Sequence, residues 1–435
     1  MDVQDIVKLA QKEGAHDAVA TLYRNNIYQT KFANSAIAAL QVWNTSALGL
    51  FVAIKNKTAF MNLQDLSETS IKSAVQRLVK IAKNSQPSED YKGIAKGPFD
   101  YNAPQYDKKI IESVEKQPEW VSQAIDATKL KKTAGILYSK QNETVLATSN
   151  GVLATDRNAS IEFSIRAFAA KDESGHGVSC AKSLSDFNPV KAGEHAGEIA
   201  RLATKPQPGE AGKYDVLFEP LAFADLINKV AHNASAFNVD AGYSFLIDKV
   251  GKQIASPNIT LTDSGQSSLH SRAFDDEGVP VKENTIVENG TLKTYLHNTS
   301  TAKKYKTETT ANAGLISPYP FSAMLKEGNQ TKDQLLSQTK NGIYVTNIWY
   351  TRFQNYQTGD FSTIPRDGLF LVRNGSIVKS LKGLRITDNL QGMLERAVAL
   401  GNKPEWILWW GMDYQTPAFT PHVLIKDVNF TKSLM

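Results

Sequence analysis

The sequence predicts an α+β fold of two domains, a mixed α/β N-terminal domain over residues 1–205 and a β-rich C-terminal domain over residues 213–435. Three observations support this prediction. The chain has 435 residues, near three times the usual size of one domain. Helical periodicity is concentrated before residue 205, whereas short β-like runs dominate after residue 213. Between them, residues 205–212 combine two prolines and two glycines without periodicity, which is typical of a domain boundary.

Helices and strands alternate in the predicted N-terminal domain. The first helix begins after Asp2, whose side chain can cap it. A second helical pattern covers residues 67–84 and must end before Pro87, which lacks a backbone donor. A third helix begins with Asn188 as its cap and Pro189 in its first turn. Strands are predicted at residues 18–23, 48–54, 58–61, 135–139, 150–155 and 160–168.

The predicted C-terminal domain has one helix, over residues 220–236, and is otherwise built from short β runs separated by turn residues. The pairs Asn289-Gly290 and Asn374-Gly375 each lie between apolar runs. An Asn-Gly pair tolerates the positive φ angles of a type I′ turn, so each pair predicts a tight β-hairpin. The predicted strands cover residues 214–218, 259–262, 284–288, 292–295, 342–347, 369–373 and 423–428.

Composition and charge limit the classes of function. The net charge is +5, from 49 Lys and Arg against 44 Asp and Glu. The lysines are scattered, whereas nucleic-acid-binding proteins concentrate basic charge on one stripe, so a solvated surface is favoured over nucleic-acid binding. No apolar stretch approaches the ~18 residues of a membrane helix, and no basic region precedes an apolar run at the N-terminus. With a single cysteine, Cys180, we expect a cytoplasmic protein without a membrane segment.

Few side chains carry an obvious chemical motif. The sequence contains no Gly-rich phosphate loop, no Cys-x-x-Cys and no His-Glu-x-x-His. Cys180 is interpreted as a structural thiol rather than a nucleophile. His176 lies in a predicted turn. His195 and Glu198 are three residues apart on a predicted helix, where a solvated pair is favoured over a metal site.

Two polar segments in the second half of the chain are candidate functional loops. The first carries three consecutive carboxylates before a glycine. Cation-binding loops need oxygen ligands brought round by the backbone, so a charged turn is favoured over a Ca²⁺ or Mg²⁺ site. The second segment is compact and polar within a β region, which indicates a loop that forms a site or closes a domain. The residues concerned are Arg272, Asp275, Asp276, Glu277 and Gly278 in the first, and Thr358, Gly359, Asp360, Phe361 and Ser362 in the second.

Several blocks of this sequence resemble the TldD/PmbA (TldD/TldE) family. The segment Arg-Ala-Phe-Asp-Asp-Glu-Gly-Val-Pro, followed by a block around Asn289-Gly290, looks like the signature of that family. The polar loop ending at Ser362 is similar to a second C-terminal block. The resemblance runs in order along nearly the whole chain. The matching blocks are residues 44–52, 149–152, 172–175, 272–280, 285–296, 358–362 and 374–383.

The resemblance implies a cytoplasmic metallopeptidase assembly in which two homologous subunits associate. In the TldD-type subunit, a helix at the start of the C-terminal domain carries His-Glu-x-x-x-His, and a late cysteine adds a further zinc ligand. The TldE/PmbA-type subunit lacks these groups. Known members of the pair act on short or unfolded peptides. The resemblance therefore implies a peptide substrate and a fold of two domains.

The zinc ligands of the TldD-type subunit do not carry over to the matching helix of this chain. Ile227 stands at the first histidine position, Asn228 replaces the glutamate, and only His232 remains. An aliphatic side chain cannot coordinate zinc, and an amide cannot take a proton from metal-bound water. Residues 409–413, Trp-Trp-Gly-Met-Asp, replace the late cysteine. We therefore expect no catalytic residue and no metal in this chain, with His232 hydrogen-bonded near a subunit contact.

We accordingly expect a TldE/PmbA-like subunit, with zinc only in a TldD-type partner. Such a chain would form a heterodimer with that partner or a homodimer with a second copy. Aromatic residues cluster in two segments and suit a subunit contact, because Trp and Tyr bury large areas with few rotatable bonds. The alternative is that they fill the core of the β-rich domain. These aromatic segments comprise Trp349, Tyr350, Phe353, Tyr356 and residues 406–410.

Two other functions stay open at this point. One is a self-sufficient peptidase with a constellation around His232, Asp275, Asp276 and Asp360, which would be sensitive to chelators. The other is a nucleic-acid or gyrase-associated binding protein, in keeping with the net charge of +5. Binding to DNA that falls steeply with salt would favour the second.

Overall fold

The first half of the protein is one antiparallel sheet with helices packed against it. The structure is a computed structural model and describes residues 1–433. The strands pair in the order β3-β2-β1-β4-β5-β6, with the elements defined as follows. They are α1 (Val3–Lys12), β1 (Asp17–Ala33), β2 (Ala36–Ile54), β3 (Lys57–Leu63), α2 (Glu68–Asn84), α3 (Lys109–Glu112), α4 (Gln117–Ala127), β4 (Lys132–Thr148), β5 (Leu153–Ala170), β6 (Glu173–Ala181) and α5 (Pro189–Leu202).

The helices of this half cover two separate apolar cores. Helices α1 and α2 bury their apolar faces against one end of β1 and β2, whereas α4 and α5 pack near the other end of the sheet. The predicted starts of three helices are confirmed. The Asp2 carboxylate accepts a hydrogen bond from the Asp5 amide, Ser67 caps α2, and Asn188 caps α5 ahead of Pro189. These caps satisfy amides that have no partner within the helix.

Strands β1 and β2 are much longer than the sequence predicts. The prediction covered residues 18–23 and 48–54, but the two strands run continuously from Asp17 to Ile54 around one tight turn. The intervening residues 24–47 are about half polar and show no sustained alternation of polar and apolar side chains. Pairing of β1 with both β2 and β4 over its whole length supplies the backbone partners that make this segment a strand.

The second half of the chain is built mainly from strands, as predicted. Its elements are β7 (Gln207–Pro208), β8 (Gly212–Phe218), α6 (Pro220–Asn233), α7 (Ala236–Asp240), β9 (Leu261–Ser264), β10 (Glu283–Glu288), β11 (Thr291–Leu292), α8 (Thr299–Tyr305), β12 (Ala323–Leu325), α9 (Lys332–Gln338), β13 (Asn341–Asn355), β14 (Asp360–Arg373), β15 (Ser376–Lys382), β16 (Leu384–Asn389), α10 (Leu390–Glu395), β17 (Ala397–Leu400), β18 (Glu405–Ile407), β19 (Ala418–Thr420) and β20 (Val423–Lys432).

These strands form two sheets with α6 between them. An eight-stranded sheet has the order β13-β8-β20-β16-β14-β15-β7, with β17 joined to β20, and a six-stranded sheet has the order β11-β10-β9-β12-β19-β18. Helix α6 contacts β8 and β13 of the first sheet and β12, β18 and β19 of the second. All of its residues except His232 are buried. Strand β7 lies within the predicted boundary segment and pairs with β15.

Both predicted Asn-Gly hairpins are confirmed. Asn289 and Gly290 have φ angles of 46° and 81° and join β10 to β11. Asn374 and Gly375 have φ angles of 48° and 77° and join β14 to β15. The predicted strand over residues 292–295 is wrong beyond Leu292, because the chain leaves β10 there and crosses toward α8.

The protein is therefore an α+β protein with large sheets and more than one domain, as its sequence predicts. No helix within residues 1–433 is long and apolar enough to cross a membrane.

Candidate functional site

Helix α6 holds the three residues that the family resemblance places at the zinc-motif positions, Ile227, Asn228 and His232. The helix begins at Pro220, whose fixed φ angle suits a first helical turn, and it continues through a strongly apolar run. The Ile227 side chain is fully buried in the main core of the C-terminal half. Asn228 and His232 lie one turn apart on the same side of the helix. This side faces residues 413–416, the loop before β19.

Asn228 and His232 are both bound to the same threonine. The Asn228 amide donates to the Thr416 carbonyl oxygen at 2.8 Å, and His232 Nε2 lies 2.9 Å from the Thr416 hydroxyl. The His232 ring stacks on Tyr414 with a centroid separation of 3.8 Å. Burial, together with the nearby Lys229 ammonium, lowers the pKa of His232 to about 3. His232 is therefore a neutral, hydrogen-bonded imidazole packed inside the protein.

The residues at this position do not fit a zinc ion. Ile227 offers no donor atom, and the imidazole nitrogen that faces the loop is engaged by Thr416. The Asn228 Oδ1 atom is buried without a hydrogen-bond partner, but zinc sites use sulfur, imidazole and carboxylate ligands. Across the part of the chain that the structure describes, no group of three or more His, Cys, Asp and Glu side chains is placed to hold a metal ion.

The segment 409–416 closes over α6 where the family resemblance implies a late cysteine. Asp413 accepts a 2.8 Å hydrogen bond from Lys229 of α6 and a 2.9 Å bond from Arg352 of β13. Beside this network, burial raises the pKa of Asp225 above its usual range. An ion pair between a helix and the loop above it fixes the loop in place. The segment is thus packed against α6 by aromatic stacking and by charge.

A cavity of about 660 Å³ lies between this segment and the N-terminal sheet. Its aromatic lining includes Trp43, Trp409 and Trp410, and Arg166 adds a cation that pairs with Asp367 at 3.0 Å. Trp410 is 64% exposed, whereas Trp409 is buried beside the His176 ring. Neither predicted role therefore applies to a whole aromatic cluster. Some residues of each cluster pack in the core, and others face a cleft or solvent.

A second cavity, of about 870 Å³, lies where α5 meets the C-terminal half. His195 Nε2 lies 3.0 Å from a Glu219 carboxylate oxygen in this cavity. The sequence paired His195 with Glu198, which is wrong, because the buried Glu219 at the start of α6 is the partner. Burial alone would lower the pKa of His195, but the Glu219 carboxylate outweighs it and raises that pKa. Tyr344 also donates a hydrogen bond to Glu219.

The acidic loop is a turn, as the sequence favoured, but two of its three carboxylates are buried. Asp275 and Glu277 are buried, and the carboxylate of each accepts hydrogen bonds from backbone amides. Burial raises the pKa of both carboxyl groups. Asp276 is half-buried and pairs with Arg272 at 2.8 Å. The loop is a structural junction, since Glu277 Oε2 accepts from the Ala95 amide, far away in the sequence.

The second predicted loop is a hairpin turn between β13 and β14. Thr358 is exposed, Gly359 has a φ angle of 82°, and Phe361 is fully buried. The Asp360 carboxylate accepts from the Thr358 hydroxyl at 2.6 Å and from the Asn389 amide at 2.9 Å. These contacts stay inside the C-terminal half. The residues of the predicted self-sufficient peptidase site thus have separate partners, and no hydrogen bond joins His232, the acidic loop and Asp360.

Two further predictions concern single residues. His176 does not lie in a turn but in β6, where it is buried between Ser164 and Asn347. Burial, with Arg166 nearby, lowers its pKa to about 3. The Cys180 thiol is buried and donates to the Leu408 carbonyl, and burial raises its pKa to about 12. A thiol of this kind is unreactive, as a structural cysteine should be.

These features define an α+β protein in which one buried helix, α6, packs between two sheets and against the loop before β19. The family description "PmbA/TldA metallopeptidase C-terminal domain" matches residues 211–432, and "PmbA/TldA metallopeptidase central domain" matches residues 100–204. The chain therefore belongs to the PmbA/TldD metallopeptidase family.

Similar proteins and structures agree with this assignment. A metalloprotease PmbA homologue of Haemophilus influenzae is 26% identical over 421 residues, which cover 92% of this chain and 90% of that protein. The metalloprotease PmbA of Escherichia coli O157:H7 is 24% identical, with 82% of this chain and 81% of that protein covered. The crystal structure of TldE from Thermococcus kodakarensis superposes with a TM-score of 0.86 at 20% identity, covering 98% of this chain and 99% of that one.

Proposed function

We propose that this chain is the non-catalytic, TldE/PmbA-like subunit of a cytoplasmic TldD/TldE-type peptidase assembly that acts on peptides or unfolded proteins. In this proposal a homologous TldD-type subunit supplies the zinc ion and the general base. This chain contributes no metal ligand and encloses the peptide beside the partner's active site. The proposal also covers the cytoplasmic location and the zinc-free state of this chain.

The arrangement on α6 is the observation that carries the proposal. Zinc hydrolysis needs several ligands and a base that accepts a proton from metal-bound water. Here the matching side chains are an aliphatic group in the core and an amide and an imidazole that both bind Thr416. The rest of the family architecture extends over nearly the whole chain. The chain keeps the family fold, but the side chains of α6 at the zinc-motif positions offer few metal ligands and are already hydrogen-bonded within the protein. This combination supports a structural subunit rather than an independent zinc hydrolase.

The cavity beside Trp410 supports a role in holding a peptide. Ligand sites are commonly concave, lined by apolar and aromatic groups, and equipped with a few polar groups that fix orientation. The 660 Å³ cavity combines indole rings with Arg166 and Lys31. Aromatic surfaces accept the varied side chains of an unfolded peptide, and a cation suits a peptide carboxylate.

Co-expression with a TldD-type paralogue that carries His-Glu-x-x-x-His tests the proposal. We expect the two chains to co-purify as one assembly, with zinc in a ratio of one ion per pair and chelator-sensitive cleavage of an unfolded peptide. The purified chain alone should contain no stoichiometric zinc and should cleave nothing. Size-exclusion chromatography with light scattering, elemental analysis and a peptide-cleavage assay give the three readouts.

Two matched histidine variants locate the metal. Replacing the first histidine of the partner's motif should remove both zinc and activity. His232→Gln in this chain keeps a hydrogen-bonding side chain beside Thr416 and should leave the zinc content of the pair unchanged. One zinc per purified chain that disappears in His232→Gln would instead support the self-sufficient peptidase. Failure to bind any TldD-type paralogue would remove the basis for a shared assembly.

A further inference from the structure

The 870 Å³ cavity has no part in the peptide-holding role proposed for the 660 Å³ cavity. Its walls come from β6 and α5 of the N-terminal half and from α6, α9, β18 and β19 of the C-terminal half. Two backbone hydrogen bonds of 2.8 Å hold one wall together, because the Gly401 amide donates to the His422 carbonyl and the Asn402 amide donates to the Gln330 carbonyl. A cavity of this size accommodates a small-molecule ligand.

The interior of this cavity carries more positive than negative charge. His195 Nε2 lies 3.0 Å from Oε2 of the buried Glu219 carboxylate, and the Tyr344 hydroxyl donates to Oε1. The Lys332 ammonium lies 3.6 Å from Oε1, beyond hydrogen-bond distance, and 4.9 Å from the centre of the Tyr344 ring. Burial opposes protonation of His195, but Glu219 outweighs it and raises the pKa of His195. Protonated His195 and Lys332 together outnumber the single carboxylate.

The charged residues at the rim of the cavity do not cancel this excess. Lys191 and Glu405 form an ion pair at 2.6 Å and neutralise each other. Asp186, Asp333 and Lys403 are exposed to solvent. Water and salt screen such exposed charges, so they act weakly on groups inside the cavity.

His422 adds an unused hydrogen-bonding group to the cavity wall. Burial lowers the pKa of His422 to about 4, so its ring is neutral. Within residues 1–433, its Nε2 atom is buried without a hydrogen-bond partner. Most buried polar atoms have a partner, because leaving one unsatisfied costs free energy. In the tautomer that carries a proton on Nε2, His422 can donate to a ligand oxygen.

Two aromatic side chains form an apolar part of the wall. Trp406 of β18 and Phe419 of β19 lie directly opposite each other in the antiparallel pair. Their ring centroids are 4.9 Å apart with an interplanar angle of 40°. Both side chains are half-buried and line the cavity. Aromatic rings that remain accessible in a cavity favour the binding of another planar ring.

We propose that this cavity is a second ligand site, which binds a small molecule whose planar aromatic ring carries a carboxylate or phosphate group. The anionic group accepts hydrogen bonds from the Lys332 ammonium and from His422, and its charge offsets the positive excess beside Glu219. The aromatic ring of the ligand packs against Trp406 and Phe419. An uncharged ring would leave the positive charge uncompensated, and an anion without a ring would leave the aromatic wall uncovered.

Four probes added to the unaltered full-length chain test the ligand class. Isothermal titration calorimetry at pH 7 should give a dissociation constant of about 1 mM or lower for phenyl phosphate, phenylacetate or both, as expected for ligands of about ten heavy atoms. Phenylacetamide, which lacks the charge, and inorganic phosphate, which lacks the ring, should bind at least about tenfold more weakly. Binding of only one aromatic anion confirms the site and identifies the anionic group as phosphate or carboxylate.

Three outcomes of this titration would overturn the proposal. They are equal affinity for phenylacetamide, equal affinity for inorganic phosphate, and no binding of either aromatic anion at about 10 mM. None of these outcomes depends on a variant, so a variant that fails to fold cannot obscure the result.

Two variants place the binding in this cavity. Lys332→Met removes the free ammonium and should weaken the aromatic anions at least about tenfold. Trp406→Leu should weaken the same probes about threefold and leave the affinity for inorganic phosphate unchanged, because only ring packing is lost. Lys340→Met is the matched control, since Lys340 is an exposed lysine outside the cavity lining, and it should bind the probes normally. Unchanged binding in a folded Lys332→Met protein, checked by circular dichroism, would overturn the site.

This proposal can fail independently of the proposed function. The probes are added to the purified chain alone, so their binding does not require a peptidase assembly. A chain that binds neither aromatic anion but assembles with a TldD-type paralogue overturns the second site and leaves the proposed function standing. A chain that binds these probes but no such paralogue confirms the second site and contradicts the proposed function.

Discussion

The two loops that carry the family resemblance in the C-terminal half have opposite surroundings. In the acidic loop, Asp275 and Glu277 are buried and accept backbone hydrogen bonds from distant segments. In the hairpin loop, Thr358 is exposed and Asp360 bonds only to neighbours on its own hairpin and to Asn389. Both loops contain a carboxylate next to a glycine with a positive φ angle. Similar local sequences therefore serve a central junction in one case and a surface turn in the other.

The two loops differ in how many buried backbone amides would lose their hydrogen-bond acceptor if the carboxylate were removed. Removing a buried acceptor leaves buried amides without partners, whereas water replaces an exposed acceptor. The acidic loop also joins remote parts of the chain, since the Tyr101 hydroxyl donates to the Gly278 carbonyl at 2.7 Å. The same substitution made in each loop therefore measures how much burial of the acidic loop contributes to the free energy of unfolding.

The largest effect should come from removing the central carboxylate of the acidic loop. Asp275→Ala leaves the amides of Glu277, Val279 and Ala313 without an acceptor. Because each unsatisfied buried group costs ~1–3 kcal/mol, we expect the free energy of unfolding to fall by about 4 kcal/mol. Urea denaturation, monitored by tryptophan fluorescence, measures this free energy. Asp360→Ala, the matched variant, should cost less than about 1 kcal/mol. Equal decreases in the free energy of unfolding for the two variants would show that burial does not explain the difference between the loops.

The glycines of the two loops give the next comparison. Gly278 and Gly359 have φ angles of 81° and 82°, so alanine is strained at either position. An added Cβ at Gly278 would lie 2.5 Å from Val152 Cγ1, whereas at Gly359 the nearest atom is 3.2 Å away in Phe245. We expect Gly278→Ala to lower the free energy of unfolding by about 3 kcal/mol and Gly359→Ala by about 1 kcal/mol. Thermal unfolding of both variants checks the order, and a reversed order would contradict it.

The raised pKa of Glu277 predicts a pH dependence of stability. Burial and the neighbouring Asp275 raise the pKa of Glu277 to about 8, far above that of an unfolded glutamate. The folded state therefore takes up a proton that the unfolded state lacks, and this contribution is lost as the pH rises through the folded pKa. We expect the free energy of unfolding to fall by roughly 2–3 kcal/mol between pH 6 and pH 9 for this reason, since most of the loss occurs below pH 8 at about 1.4 kcal/mol per pH unit.

Glu277→Gln isolates that contribution. The amide has a similar shape, keeps an oxygen for the Ala95 amide and does not titrate. Subtracting its pH profile from that of the unaltered protein removes the contribution of other groups, including His195. Parallel profiles for the two proteins between pH 6 and pH 9 would contradict the assigned cause.

The smallest effect concerns the exposed loop at acid pH. Hydrogen bonds from Asn389 and Thr358 lower the pKa of Asp360. A lowered carboxyl pKa gives stability that is present above the unfolded pKa and is lost as the pH falls through the folded value. Asp360→Asn should therefore reduce the free energy of unfolding by less than about 1 kcal/mol at pH 7, with the difference shrinking toward pH 3. A difference that grows on acidification would reverse the sign of this prediction.

Much of the fold follows from local sequence signals. The caps at Asp2 and Asn188 and the hairpins at Asn289-Gly290 and Asn374-Gly375 depend on a few adjacent residues, and each was predicted. The full length of β1 and β2 is not predicted, because the mixed polar and apolar residues in their middle gain backbone partners only from β4 and from each other. Such partners come from remote sequence and leave little local periodicity.

The candidate site on α6 likewise has some features that depend on local sequence and others that depend on remote segments. The absence of zinc-ligand chemistry at Ile227 and Asn228 was visible in the sequence, because it depends only on residue type. No local pattern predicts that Thr416 contacts both Asn228 and His232, since Thr416 lies 184 residues beyond His232. A signal that could have indicated Glu219 as the partner of His195 is the position of Glu219 just before the proline that begins α6.

By itself the sequence determined the residue types on α6, the turn positions and the helix starts, because these features depend on side chains within a few residues of one another. Tertiary structure alone decided that Asp275 and Glu277 are buried and Thr358 is exposed. It also decided that β2 extends past β3 with an uncovered edge. The physical reason is that burial and hydrogen-bond satisfaction depend on which distant segments pack together, and side-chain chemistry at one position does not specify them.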